Sequence, residues 1–276
     1  MTLTPTAEER PDGSPNAATT ATVCRAGVVS FLNSRPLLDG LDRLPGWRLT
    51  PAVPSALADQ LRRGEIDVAL LPVVDYRANR DIWEPISDGC IGCDGETMTV
   101  RVFSKAPPDR IRRLEADPDS HTSVILAQVV WRELFGQRLA IVARGARSDE
   151  FRDDQDAILL IGDKVVTDRP RGFGFEVDLG AAWKHWTGLP MVFATWVCPR
   201  GRWNDAERRD VAAALSAARD RGVARAADIA ARDAAPHGWP VELARHYLET
   251  TLRFKLDDRM QAGLRRFLEE VDRLGL

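Results

Sequence analysis

Cys24-Arg25-Ala26-Gly27-Val28-Val29-Ser30-Phe31-Leu32-Asn33-Ser34-Arg35-Pro36 runs from an apolar stretch into a polar loop. A short apolar run that ends this way reads as a buried strand. In open α/β sheets ligands bind beyond the C-terminal ends of strands. Ser30, Asn33 and Arg35 therefore stand where a hydroxyl, an amide and a guanidinium could meet one. Outward from this loop, Pro36 suits the first turn of a helix continued by Leu37, Leu38 and Leu41. Residues 47–53 read as a second strand. Pro54-Ser55 opens the next helix with Ser55 as its cap. Gly64 closes that helix, and residues 66–71 form a third strand running into Pro72. This β-α-β-α-β rhythm predicts a parallel sheet with right-handed crossovers.

The rest of the chain extends the pattern. Residues 84–96 hold Pro85, Gly89, Gly92 and Gly95 and read as a turn-rich segment carrying Cys90-Ile91-Gly92-Cys93. Residues 97–103 alternate polar and apolar side chains as a strand does. Lys105-Ala106-Pro107-Pro108 reads as a crossing into a second β/α series: a helix over 122–135, strands over 139–142 and 158–161, a helix over 181–187 and a strand over 191–198. A second crossing is expected at 199–203, and everything beyond it reads as helical. In the last helix Met260, Leu264, Phe267, Leu268, Val271 and Leu274 form one apolar stripe. The expected division is a tail over 1–22, a first lobe over 23–104 plus 199–276, and a second lobe over 105–198. A cleft between lobes is a common ligand site.

Composition narrows the function. The 276 residues are 44% hydrophobic and 29% charged, with a formal net charge of -3. That balance gives no global basic field for nucleic acid. No apolar run reaches the roughly 18 residues of a membrane span. The first 22 residues are rich in Thr, Pro, Ala and charge and lack the apolar core of a secretory signal, so they read as a disordered tail on a cytoplasmic protein. Four cysteines are too few and too scattered for a disulfide framework in such a chain.

Each motif carries two readings. Asn33 donates and accepts hydrogen bonds at once and Arg35 offers a fork for a carboxylate; equally, Asn33 could cap a turn and Arg35 could lie on the surface. Ser120-His121-Thr122-Ser123 leads into an apolar helix, where free N–H groups and hydroxyls suit an anion, or simply cap the helix. His121 is a candidate base or a polar neighbour of that cap. Gly162-Asp163 follows a strand and fits either a hydroxyl-binding carboxylate or the N-cap of the next helix. Cys90 and Cys93 have redox or half-zinc spacing, but with no second pair or nearby histidines a turn holding two thiols is the favoured reading. Gly172-Phe173-Gly174 lacks the strand and helix of a dinucleotide fingerprint.

In their order these segments resemble the chorismate dehydratases of the futalosine route to menaquinone. The resemblance rests on Val29 to Pro36, Gly64-Glu65-Ile66-Asp67-Val68-Ala69-Leu70-Leu71-Pro72, Asp88-Gly89, Val102-Phe103-Ser104-Lys105 and Thr122-Ser123-Val124. It continues through Leu159-Leu160-Ile161-Gly162-Asp163, Asp178-Leu179-Gly180 with Trp183, and Thr187 to Trp196. It implies an α/β, two-lobed type II periplasmic-binding-protein-like fold with a ligand cleft between the lobes. It also implies loss of water from chorismate, driven by aromatisation, with no redox cofactor and no metal. The family's pocket residues carry over to Asn33, Thr122, Ser123, Gly162 and Asp163, and a family serine falls on Thr99. The sequence departs from the family in its Cys-x-x-Cys and in carrying His121 where arginine is common. With the loop residues Ser30 and Arg35, the expected site is Asn33 acting on a reacting group and Ser30, Arg35, Thr99, His121, Thr122, Ser123, Gly162 and Asp163 holding the substrate. Two further readings are an intracellular protein that binds a small carboxylate without turning it over, and the dihydroxynaphthoate synthase of the same pathway.

Overall fold

The apolar run of the opening stretch forms strand β1 (Cys24–Val29), and its polar continuation tightens into a 3-10 helix, Leu32–Leu38. The computed structural model describes residues 24–116, 120–143 and 156–276. The expected tail over 1–22 lies outside them. Pro36 sits inside the 3-10 helix rather than opening an α-helix. The tight turn is held by the Ser34 hydroxyl, which donates to the carbonyls of Val29 (2.7 Å) and Phe31 (2.9 Å).

The rhythm expected for residues 24–72 is present. β2 (Trp47–Ala52) and β3 (Val68–Pro72) pair in parallel on either side of β1, with Cys24 opposite Trp47 and Ala26 opposite Val68. The intervening helix Pro54–Arg62 takes Pro54 in its first turn and Val53 at its cap position, two residues earlier than a Ser55 cap requires. The remaining strands are β4 (Trp83–Cys93), β5 (Val100–Ser104), β6 (Arg113–Ala116), β7 (Ala140–Ala143), β8 (Asp156–Ile161), β9 (Phe175–Asp178), β10 (Met191–Pro199) and β11 (Leu252–Lys255). They form a first sheet in the order β11-β4-β10-β3-β1-β2 and a second in the order β7-β6-β8-β5-β9.

Several expectations change. Residues 84–96 are not a turn-rich loop, because most of them form β4, hydrogen-bonded between β10 and β11. Its glycines serve packing. A Cβ on Gly92 would lie 2.3 Å from the Met260 methyl and 2.6 Å from the Met191 carbonyl. The segment beyond 203 is not all helical either. Leu252 and Phe254 point inward and Arg253 and Lys255 outward, the alternation of a half-buried strand, and this short piece edges the first sheet. Finally, β5 pairs with β8 and β9, while β10 pairs with β3 and β4. The chain thus changes sheet before β5 and returns before β10, and the proline segments at 105–108 and 199–203 each lie within one half. Proline marks a break in pairing but cannot say which sheet the next strand joins.

Two cores follow. One joins β1 and the Leu32–Leu38 turn to the C-terminal helices through Leu215, Ile229, Trp239 and Tyr247. The other packs the second sheet against the helices His121–Phe135 and Asp258–Leu274 through Trp131, Trp183 and Phe267. The predicted stripe of the last helix supplies Met260, Phe267 and Val271 to it. No helix among the described residues is long and apolar enough to cross a membrane.

Candidate functional site

The C-terminal end of β1 opens into a cavity between the two sheets, with about 640 Å³ of empty space including its mouth. Val29, Phe31, Asn33, Leu70 and Pro72 come to its wall from the first half. Thr97, Thr99, Ser120 to Ser123, Ile161 and Gly162 come from the second. Tyr247 and Leu252, from the C-terminal segment, complete the floor.

The predicted residues divide accordingly. Asn33, Thr99, His121, Thr122, Ser123 and Gly162 line the cavity; Ser30, Arg35 and Asp163 do not. Ser30 is exposed beside it. Asp163 is not a substrate-facing carboxylate, because its oxygens are taken by protein donors from the opposite half. It accepts from the Leu32 N–H (3.3 Å), His237 Nδ1 (2.7 Å) and Trp239 Nε1 (2.9 Å). Arg35 stands behind this group and donates to His237 Nε2 from Nη2 at 3.2 Å, which leaves the imidazole proton on Nδ1, facing Asp163. Both residues tie the loop to the second sheet from outside the cavity. Gly162 belongs to the same tie. It sits at φ +58°, and a Cβ there would lie 2.9 Å from the Phe31 ring, so only glycine lets this ring close over β8.

The anion-binding end is the N-terminus of His121–Phe135. The first intrahelical bond runs from the Val124 N–H to the Ser120 carbonyl (3.1 Å), so the N–H groups of residues 121–123 precede any helical partner. The helix dipole adds positive potential there. The flanking hydroxyls differ. Thr122 Oγ1 spends its proton on the Phe193 carbonyl (3.1 Å), whereas Ser120 makes no side-chain bond to the cap. His121 Nδ1 donates to Asp75 (2.8 Å) on the helix Val73–Ala78, which joins the two halves at the cavity mouth. Among the described residues, the wall carries neither lysine nor arginine.

The reacting end gathers around Asn33. Asn33 Oδ1 is buried without a hydrogen-bond partner. Thr99 Oγ1 lies 2.6 Å from the Tyr247 hydroxyl. Desolvation pushes the Tyr247 hydroxyl well above the usual phenol range, while hydrogen bonds from Thr99 and Asn33 only partly oppose this. The phenol therefore keeps its proton. Thr99 is held by a pinned turn. Asp178 accepts from the Thr97 and Met98 N–H groups, both at 2.9 Å, and fixes Met98 at φ +62°, a conformation costly for a side-chain-bearing residue.

Sequence reasoning passes over Tyr247. It lies far along the chain in a segment that reads as an ordinary helix, and its one local signal is geometric: Tyr247–Thr251 forms a π-helical turn, a form often found at functional sites. The thiols take no part. Cys90 and Cys93 are fully buried and unbridged, and burial pushes the Cys93 thiol up to about 12. No grouping of His, Cys, Asp and Glu among the described residues could hold a metal ion.

Comparison with known proteins places this geometry. Protein AF1704 from Archaeoglobus fulgidus superposes with a TM-score of 0.74 at 14% identity, covering 93% of this chain and 99% of that one. The periplasmic aliphatic sulphonate binding protein SsuA from Escherichia coli gives a TM-score of 0.58 at 16% identity, covering 92% and 87%. At these identities the likeness establishes the fold, which is periplasmic-binding-protein-like. In sequence, the chorismate dehydratase of Thermus thermophilus is 29% identical over 262 residues, 89% of this chain and 94% of that protein. A family model described as menaquinone biosynthesis matches residues 24–273, so the chain belongs to the menaquinone biosynthesis family.

Proposed function

We propose that this protein is a cytoplasmic hydro-lyase that converts chorismate to 3-[(1-carboxyvinyl)oxy]benzoate and water. The observation that carries the reading is the cavity wall. It sets a helix N-terminus with hydroxyls in one cavity with Asn33, whose buried amide oxygen has no hydrogen-bond partner, in a family of menaquinone biosynthesis with a relative named chorismate dehydratase.

The substrate is a dianion whose ring lacks one double bond of aromaticity. The ring carboxylate takes the Thr122 and Ser123 N–H groups and the Ser120 and Ser123 hydroxyls. Phe31, Leu70, Ile91, Ile161 and Phe193 give the ring an apolar bed, where each polar contact counts for more than in water. The enolpyruvyl carboxylate, held by Asn33, accepts the proton from C3. The electron pair of the C3–H bond enters the ring as the C4–O bond breaks, and the departing hydroxide takes the transferred proton as water. Base and leaving group lie on one substrate, so the protein supplies orientation and charge stabilisation.

Purified protein with chorismate tests this directly. Loss of the diene absorbance with formation of the benzoate is the expected result. Binding of chorismate with a stable diene overturns it in favour of a non-catalytic carboxylate-binding protein.

A further inference from the structure

Breaking a C–O bond puts negative charge on the departing oxygen, and hydroxide without a hydrogen-bond donor is a poor leaving group. In the proposed binding mode the ring carboxylate sits at the start of the helix His121–Phe135. C4 is para to the carbon that bears this carboxylate, so the C4 oxygen meets a different part of the wall. Apart from residues 120–123, the described lining side chains that can donate are Asn33, Thr97, Thr99 and Tyr247. Asn33 is engaged by the enolpyruvyl carboxylate. Thr97 Oγ1 is spent, donating to Asp178 at 3.2 Å and accepting the Val100 N–H at 2.9 Å. Thr99 and Tyr247 remain. Their hydroxyls lie 2.6 Å apart. Two hydroxyls joined by one hydrogen bond consume one of their two protons, so one O–H is left over for a ligand. Both oxygens are held in place beforehand. The Thr99 carbonyl accepts the Gly162 N–H at 2.9 Å, and the Tyr247 ring stacks on Trp239 with centroids 4.9 Å apart and planes 20° apart.

We propose that Tyr247 is a further catalytic residue: its hydroxyl, anchored by Thr99, donates a hydrogen bond to the C4 oxygen of the substrate as that oxygen leaves. Hydroxyl hydrogens rotate, so the ligand selects which oxygen of the pair donates outward. The phenol is the stronger acid of the two, and an oxygen gaining negative charge draws the stronger donor. Thr99 then donates to Tyr247, which polarises the phenol O–H further, and Tyr247 donates to the ligand. Burial disfavours the phenolate, so Tyr247 lends a hydrogen bond and keeps its proton. The C3 proton passes to the enolpyruvyl carboxylate, the C4–O electron pair stays on the departing oxygen, and the carboxyl proton completes the water. This role rests on the dehydratase reading.

Tyr247→Phe removes the hydroxyl and keeps the stacked ring. Its kcat on chorismate is expected to fall about 100-fold, as when one donor to a developing oxyanion is removed, with KM changed less than about threefold. Thr99→Val, which leaves the phenol without its anchor, should lose about tenfold, and Thr99→Ser should stay within about threefold of native protein. An analogue with chloride in place of the C4 hydroxyl separates this role from a structural one, because chloride leaves without a donor. On that analogue Tyr247→Phe should turn over within about threefold of native protein. Unchanged kcat of Tyr247→Phe on chorismate overturns the proposal while the dehydratase reading stands. A loss equally large on both compounds, or carried wholly in KM, also overturns it, since that pattern marks a disturbed cavity instead of a missing donor. Native protein that leaves chorismate intact overturns the dehydratase reading and, with it, this role for Tyr247.

Discussion

Asp163 and Asp178 look alike in sequence and do opposite jobs. Each stands at or just past the end of a strand paired with β5, and each precedes a helix. Asp178 works within its own half. It caps the helix Leu179–Thr187 through the Gly180 and Ala181 N–H groups, both at 3.0 Å, and pins the Thr97-Met98 turn. Asp163 makes no capping bond and reaches across to Leu32, His237 and Trp239. One carboxylate shapes a wall of the cavity, and the other holds the two walls together. The lesson is that a carboxylate at a strand end is defined by what lies opposite it, which local sequence does not record.

Substitutions at the two sites should separate these roles. Asp178→Ala should have the largest effect on stability. It orphans buried N–H groups and removes a helix cap, for a loss of about 3 kcal/mol by urea unfolding. Asp163→Asn should cost about 1 kcal/mol, because the amide oxygen still accepts, yet lower turnover of chorismate about tenfold as the loop loosens. If Asp163→Asn proves as destabilising as Asp178→Ala while keeping full activity, the contrast between wall and tie is wrong. Trp239→Phe deletes one donor to Asp163 and keeps an aromatic ring against Tyr247. A smaller fall in activity, about threefold, is expected there. The smallest effect concerns the thiols. Burial pushes Cys24 and Cys93 up to about 12 and Cys198 up to about 11, and the Cys90 thiol is raised as well. A thiol reagent at neutral pH should therefore find almost none of the four cysteines in native protein and all of them in denaturant.

The parts legible in sequence are those governed by short-range pattern. The parallel order of β1, β2 and β3 follows from apolar runs separated by a proline-opened, glycine-closed helix. The cavity positions of Asn33 and of residues 121–123 follow from one strand end and one helix start. What escaped depends on long-range packing. Gly89 and Gly92 look like turn residues, but in β4 they make room for Trp196 and Met260. Arg35 looks like an anion fork, but His237, 202 residues later, occupies it. Tyr247 meets Thr99 across 148 residues, with no motif at either end to announce the contact.

The central claim is that a cavity organised around Asn33 dehydrates chorismate. Steady-state turnover of chorismate by the native protein, Asn33→Ala and His121→Ala, measured side by side, tests it most directly. Asn33→Ala is predicted to lose turnover by about 100-fold or more, and His121→Ala, on the exposed mouth, to keep a substantial fraction. Near-normal turnover by Asn33→Ala, or abolition by His121→Ala alone, would contradict the account.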